Sequence, residues 1–346
     1  MVVSAAARIP AITPVSRWVT AEPVVEEAVL GGVPASVYRA GRDRRRPALV
    51  FFNGVTARGR HHPDVQRLAQ ALARVGFLVA VPDPPGLAGG WIDGNTLGSA
   101  AAAARAVADR PDARGGRVGL LGVSIGTTLA LIAAEDAQLA ARVTVVAGIA
   151  PYVDFVNGVR LATTGHSLEA GRLVPFRPAG FLGLVVARSL TAALPPSAAR
   201  AALVAELELV PDDAPDPLAR FRSAREPEDE GARALAALLG NRDPERFDGL
   251  YAALPAALRQ EIARLSPLDR AAALRAPVEL ATAPNDKYLP AAEALALAAA
   301  ATGTRVRLTV TSALSHADPR LRWREAGDAL RFDGWVVRTI AAARRP

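Results

Sequence analysis

The sequence predicts an α/β fold: a doubly wound, mostly parallel sheet with a helical cap inserted into it. Three observations predict it. Through residues 1–151, short continuous apolar runs alternate with helical stretches, the pattern of strands covered on both faces by crossover helices. Residues 117–131 (RVGLLGVSIGTTLAL) pass directly from strand to helix through Gly122-Val123-Ser124-Ile125-Gly126. The alternation then lapses over residues 152–264 and afterwards resumes, as an insertion between two strands requires.

Taken in order, residues 22–30 and 33–38 are β-rich and separated by Gly31-Gly32, a two-residue turn suited to an antiparallel hairpin. Residues 47–53 (PALVFFN) are an uninterrupted apolar run that stops at Asn53-Gly54-Val55, as a strand buried on both faces would. A helix over 63–75 follows, with Val65, Leu68, Leu72 and Val75 on one face. The next strand, 77–81, runs into Asp83-Pro84-Pro85-Gly86, where Asp83 reads as a strand end or turn cap. A glycine-rich loop and an alanine-rich helix over 98–108 lead to the strand before Ser124, and 143–149 is a further buried strand, closing at Pro151.

Beyond Pro151 no strand-like alternation is evident up to residue 264. Helical stretches at 181–193, 198–209, 231–239 and 255–265 are broken by Pro195-Pro196, Pro211 and an acidic segment at 226–230. Their apolar positions, Leu184 among them, need a surface to cover, and the mouth of the sheet is available. Strands return at 277–281, ending in Pro284-Asn285-Asp286, and at 305–310, followed by Ser315-His316; a last helix spans 334–343. The expected organisation is a core of residues 1–151 and 265–346 interrupted by a cap at 152–264.

Composition narrows the function. With 346 residues and 51% hydrophobic content the chain can bury a large core. It has no cysteine, which excludes disulfides, thiolate catalysis and cysteine metal sites. Its four histidines, at 61, 62, 166 and 316, are too few and too scattered for a histidine-rich metal centre, and His61-His62 reads as a polar loop pair. No metal and no cofactor are expected. The net charge of +7 comes almost wholly from arginine spread along the chain, with Lys287 the sole lysine. The dense run at 42–46 (RDRRR) reads as a solvated loop, so a nucleic-acid partner is not expected. Residues 1–19 are interrupted by Arg8, Pro10 and Pro14 and carry no evident secretion signal. Nowhere do the ~18 apolar residues of a membrane span run without charge, and 181–194, the nearest approach to one, is split by Arg188. A soluble, cytoplasmic protein is expected.

The junction at Ser124 carries the chemistry. In Gly-x-Ser-x-Gly between a strand and a helix, the glycines relieve crowding around a strained turn and the serine hydroxyl stands clear of the sheet edge. The helix that follows aims unpaired N–H groups at the same point, Ile125 N–H being the natural donor to a developing oxyanion. A dinucleotide-binding loop is not met, because Gly119 and Gly122 do not satisfy Gly-x-Gly-x-x-Gly.

These residues resemble the α/β-hydrolases, and among them the members with a helical cap after the sixth strand. The resemblance runs from about residue 33 to the end. It rests on GVSIG, on the order Ser then Asp then His, on strand-ending Asp286 followed by Pro290, and on a late His316. It implies a Ser124–His316–Asp286 triad, in which His316 takes the serine proton and Asp286 orients the imidazole and stabilises its cation. Asp154 is the rival acid, since some members carry it after the sixth strand. The resemblance also places a second oxyanion donor, Val55 N–H, where this chain has Asn53-Gly54 in place of the usual His-Gly. The activity implied is hydrolysis of an ester, thioester or lactone through an acyl-enzyme. The apolar cap favours a small-molecule substrate with an apolar acyl or alkyl part. A non-catalytic ligand-binding protein or receptor on the same fold is the alternative.

Overall fold

Strands β3 (Arg46–Phe52), β4 (Leu78–Pro82), β5 (Ala113–Val123) and β6 (Val143–Ile149) carry apolar side chains on both faces, and helices cover both. Within β3, Val50 and Phe52 pack with Leu120 and Leu129 on one face, while Leu49 and Phe51 pack with Leu72, Phe332 and Trp335 on the other, the period of two that a doubly covered strand requires. The structure is a computed structural model describing residues 22–41, 45–223, 227–316, 318–319 and 326–345. The readings of residues 1–19, of 42–44 in the basic run and of the first residue of the acidic segment lie outside the described residues.

With β1 (Pro23–Leu30), β2 (Val33–Ala40), β9 (Val278–Thr282) and β10 (Val306–Val310), the sheet has eight strands in the order β1-β2-β4-β3-β5-β6-β9-β10. Only β2 runs against the rest, antiparallel to both β1 and β4; the pairings from β4 through β10 are parallel. All parallel strands therefore end at one edge, where β3, β5, β6, β9 and β10 release their loops. Helices α1 (Pro63–Arg74), α2 (Gly94–Ala108) and α3 (Ile125–Ala134) follow β3, β4 and β5. The second begins earlier than its alanine run suggests, because Asp93 caps it, its side chain and that of Thr96 forming a capping box.

Between β6 and β9 the chain forms α4 (Phe155–Thr164), a small hairpin of β7 (His166–Glu169) and β8 (Arg172–Pro175), α5 (Phe181–Ala192), α6 (Ala198–Glu208), α7 (Arg220–Ser223), α8 (Glu230–Gly240), α9 (Phe247–Ala252) and α10 (Ala256–Arg264). The hairpin corrects the expectation that this stretch holds no strands. Its two strands are four residues each and join through Ala170 and Gly171, both at positive φ, too short to register as alternation. Helix α4 was also hidden, because Val156, Thr163 and Thr164 weaken helix propensity. After β9 come α11 (Ala292–Ala300) and, past β10, α12 (Ala326–Ala343), which begins earlier than expected. Among the described residues no helix is long and apolar enough to cross a membrane.

One buried carboxylate fixes where the chain leaves the sheet. Glu293, on α11, accepts hydrogen bonds from Val153 N (2.7 Å), Asp154 N (3.1 Å) and Asn157 Nδ2 (2.8 Å). Burial pushes its carboxyl up to about 7 against the pull of those donors. An acid raised in the folded state lends stability below its unfolded value of 4.5 that is lost as pH climbs through about 7. Glu293→Ala strands three donors and is expected to cost about 3 kcal/mol in a denaturant titration. It should also reduce the fall in stability between about pH 5 and pH 8. The fall is reduced rather than abolished because Glu135, likewise pushed up to about 7 by burial, remains. An unchanged midpoint would refute the role given to Glu293.

Candidate active site

Ser124 sits between the last residue of β5 and the first of α3, with φ 54° and ψ −129°. Of the described non-glycine residues at positive φ, three lie at this edge of the sheet: Ser124, Ala150 (φ 50°) beyond β6 and His316 (φ 54°) beyond β10. Such conformations cost on the order of 1–3 kcal/mol each and persist only where the surroundings enforce them. Here the enforcement is close backbone packing. A Cβ on Gly122 would stand 2.3 Å from Gly126 C, and one on Gly126 would stand 2.0 Å from Phe52 O. Ser124 N donates to Ile149 O (2.7 Å) and Thr127 N to Ser124 O (2.8 Å). Thr127 also donates its hydroxyl to Ile149 O (3.0 Å) and lies where a Cβ on Gly148 would meet its Cγ2 at 2.0 Å. Gly148 thus belongs to the same clamp, although nothing in its sequence context marks it.

Asp286 and His316 meet. The imidazole Nδ1 lies 2.8 Å from Asp286 Oδ2 and 3.0 Å from Oδ1, with the Asp286 side chain 1% exposed and that of His316 12%. Since a carboxylate only accepts, Nδ1 carries the proton and Nε2 is left as the acceptor. Asp286 is held in turn by Tyr288 N (2.8 Å) and Leu289 N (3.2 Å), both donating to Oδ1. The Tyr288 ring meets His316 edge-on, centroids 4.7 Å apart. Sequence reasoning missed Tyr288, which follows Asp286 in an ordinary loop. Asp154 is elsewhere engaged: it caps α4, accepting from Asn157 N (3.1 Å), and burial raises its carboxyl above the ordinary range.

Ser124, His316, Val55 and Ile125 line one cavity of about 610 Å³. Ile125 N–H belongs to the first turn of α3 and has no intrahelical acceptor; among the described residues no backbone acceptor takes Val55 N–H. The loop carrying Val55 is anchored through Asp83, which accepts from Arg60 N (2.8 Å) and pairs with the Arg60 guanidinium (2.5 Å). Asp83 therefore does more than end its strand. His62 caps α1, Nδ1 accepting from Asp64 N at 3.3 Å, and His166 lies in β7. No group of three metal-ligating side chains is found among the described residues. Helices α4 and α5 contribute Phe155, Leu182, Val185 and Val186 to the cavity wall. Leu184 is not among the lining residues; it is fully buried in the packing between helices rather than set over the mouth of the sheet.

No family model matches the chain, and no curated protein matches it. Solved structures do. The acylaminoacyl peptidase of Pyrococcus horikoshii superposes with a TM-score of 0.51 at 14% identity, the match covering 93% of this chain and 42% of the peptidase. The Pyrococcus furiosus esterase Pf2001 superposes with a TM-score of 0.50 at 13% identity, covering 92% of this chain and 91% of the esterase. The chain has the α/β-hydrolase fold. At such identities the likeness is one of fold, and the chain spans under half of the peptidase's length.

Within this α/β-hydrolase fold the turn at Ser124 leaves no space for a methyl group at Gly126. Gly126→Ala is expected to cost at least about 3 kcal/mol or abolish folding. Gly249→Ala, in α9 with open space around it, should be neutral or stabilising by about 0.5–1 kcal/mol. Thermal melts of the two variants check this, and equal stability would contradict the packing described.

Proposed function

We propose that the chain is a serine hydrolase that cleaves an ester-like bond, carboxylic ester, thioester or lactone, through an acyl-enzyme. One observation carries the reading: His316 rests its Nδ1–H on the buried carboxylate of Asp286 and lines the same cavity as Ser124. The Ser124 Oγ attacks the acyl carbon while His316 Nε2 takes its proton. The oxygen of the resulting tetrahedral intermediate is held by the N–H groups of Val55 and Ile125. His316 passes the proton to the leaving group, and the same base then activates the water that releases the acid. Asp286 orients the ring and stabilises the imidazolium. Residues 152–264 serve as a cap, α4 and α5 forming the pocket wall over the nucleophile, and the substrate is a small molecule with an apolar acyl or alkyl part. Support comes from the positive-φ turn at Ser124, from Val55 and Ile125 lining the same cavity as Ser124, and from apolar lining on α5.

Turnover of p-nitrophenyl acetate tests the assignment. Ser124→Ala should lower it by about four to six orders of magnitude with the fold intact. Asp286→Asn should cost about ten-thousandfold, and Asp154→Asn within about tenfold. The rate should fall on the acid side, where an imidazolium can no longer accept the serine proton. Undiminished turnover in Ser124→Ala overturns the proposal, and the reverse order of the two aspartate variants moves the acid to Asp154.

A further inference from the structure

The cavity at Ser124 does not stop under the cap. It continues along the opposite side of the nucleophile, over Leu121 and Ile149 at the ends of β5 and β6, and between α1 and α12. Helix α1 packs on β2 and β4, and α12 chiefly on β6 and β9, so the end of β5 lies under a gap between them. Leu68 and Leu72 of α1 and Val336 and Ile340 of α12 line that gap, each pair four residues apart and hence on one helix face. Both helices start at the carboxyl edge of the sheet and run away from it, so Leu72 and Ile340 lie deepest. The stretch of α1 from Val65 to Leu72 is about 10 Å long. Below the mouth, where Asp64 and Arg67 stand, a single hydroxyl, that of Thr339, interrupts the apolar lining.

We infer that this second arm binds a linear aliphatic chain attached to the group that reacts at Ser124, so that the substrate carries an apolar tail beneath the nucleophile as well as apolar surface under the cap. The inference rests on the reading of Ser124 as nucleophile. A chain is the occupant that the shape admits: the arm is long, bounded by two helix faces and a sheet, continuous with the reacting centre, and without a charged group below Arg67. Below Arg67 a charged or extensively polar substituent would lose its hydration against little more than the Thr339 hydroxyl. Each methylene that enters should raise kcat/KM by up to about fourfold until the arm is filled.

The experiment compares kcat/KM for p-nitrophenyl decanoate and acetate in the parent, in Leu68→Trp and Val336→Trp, which fill the arm, and in Val337→Trp, whose parent side chain is 65% exposed on the outer face of α12. The decanoate-to-acetate ratio should fall about tenfold or more in the first two variants and stay within about twofold in the third. A ratio that is the same in all three overturns the arm while leaving ester hydrolysis at Ser124 standing. Failure of the parent to turn over any ester defeats the hydrolase reading instead. A binding measurement then decides the arm alone: decanoic acid brominated at its far end should quench fluorescence from Trp335, which lines the arm. Quenching that persists undiminished in Trp335→Phe overturns the inference.

Discussion

A Cβ at Gly126 would lie 2.0 Å from Phe52 O and one at Gly122 2.3 Å from Gly126 C, so α3 starts in backbone contact with both β5 and the end of β3. That contact decides what else the edge can hold. It forces Ser124 into positive φ, turns the first N–H groups of α3 toward the space above the sheet, and brings them close to the loop that carries Val55. Anything bulkier at either glycine would lift the helix off the sheet and separate those donors. The energetic load is carried by the core on both sides, where β3 and β4, apolar through their centres, pack between helices.

Two buried carboxylates divide the remaining work. Asp286 accepts two backbone N–H groups of its own loop and faces His316, which ties the imidazole to a turn that its own hydrogen bonds hold in shape. Glu293, at the start of α11, accepts the backbone where the chain leaves β6 for its helical insertion. The insertion is fastened again where Ala179 N donates to Lys287 O at 2.7 Å. Its root and the loop of Asp286 are therefore one mechanical unit. A movement of the helices over the cavity has to hinge elsewhere, above these anchors.

Much of this was legible in the sequence, and the legible parts share a cause. Strands buried on both faces announce themselves as apolar runs, and in a parallel sheet each run's end is also an address at one edge. Ser124, Asp286 and His316 could therefore be placed at a common edge without any contact being known. What escaped notice had no local signature. The hairpin at His166–Glu169 and Arg172–Pro175 is too short for its alternation to stand out, and α4 is written in residues with weak helix propensity. Glu293 lies in an alanine-rich helix like any surface acid, and only the fold reveals that it faces the backbone of Val153. Leu184 shows the limit of helical phase: α5 is apolar nearly all round, and periodicity alone does not say which side meets the cavity and which meets its neighbours.

The central claim is that the strained turn presents Ser124 as the reacting group of this chain. Brief exposure of the intact protein to a fluorophosphonate, followed by peptide mapping by mass spectrometry, tests it most directly. The account predicts one adduct per chain, on the peptide containing Ser124, and none on that peptide after denaturation before exposure. An unmodified Ser124 in the folded protein, or an adduct on another residue, would contradict it.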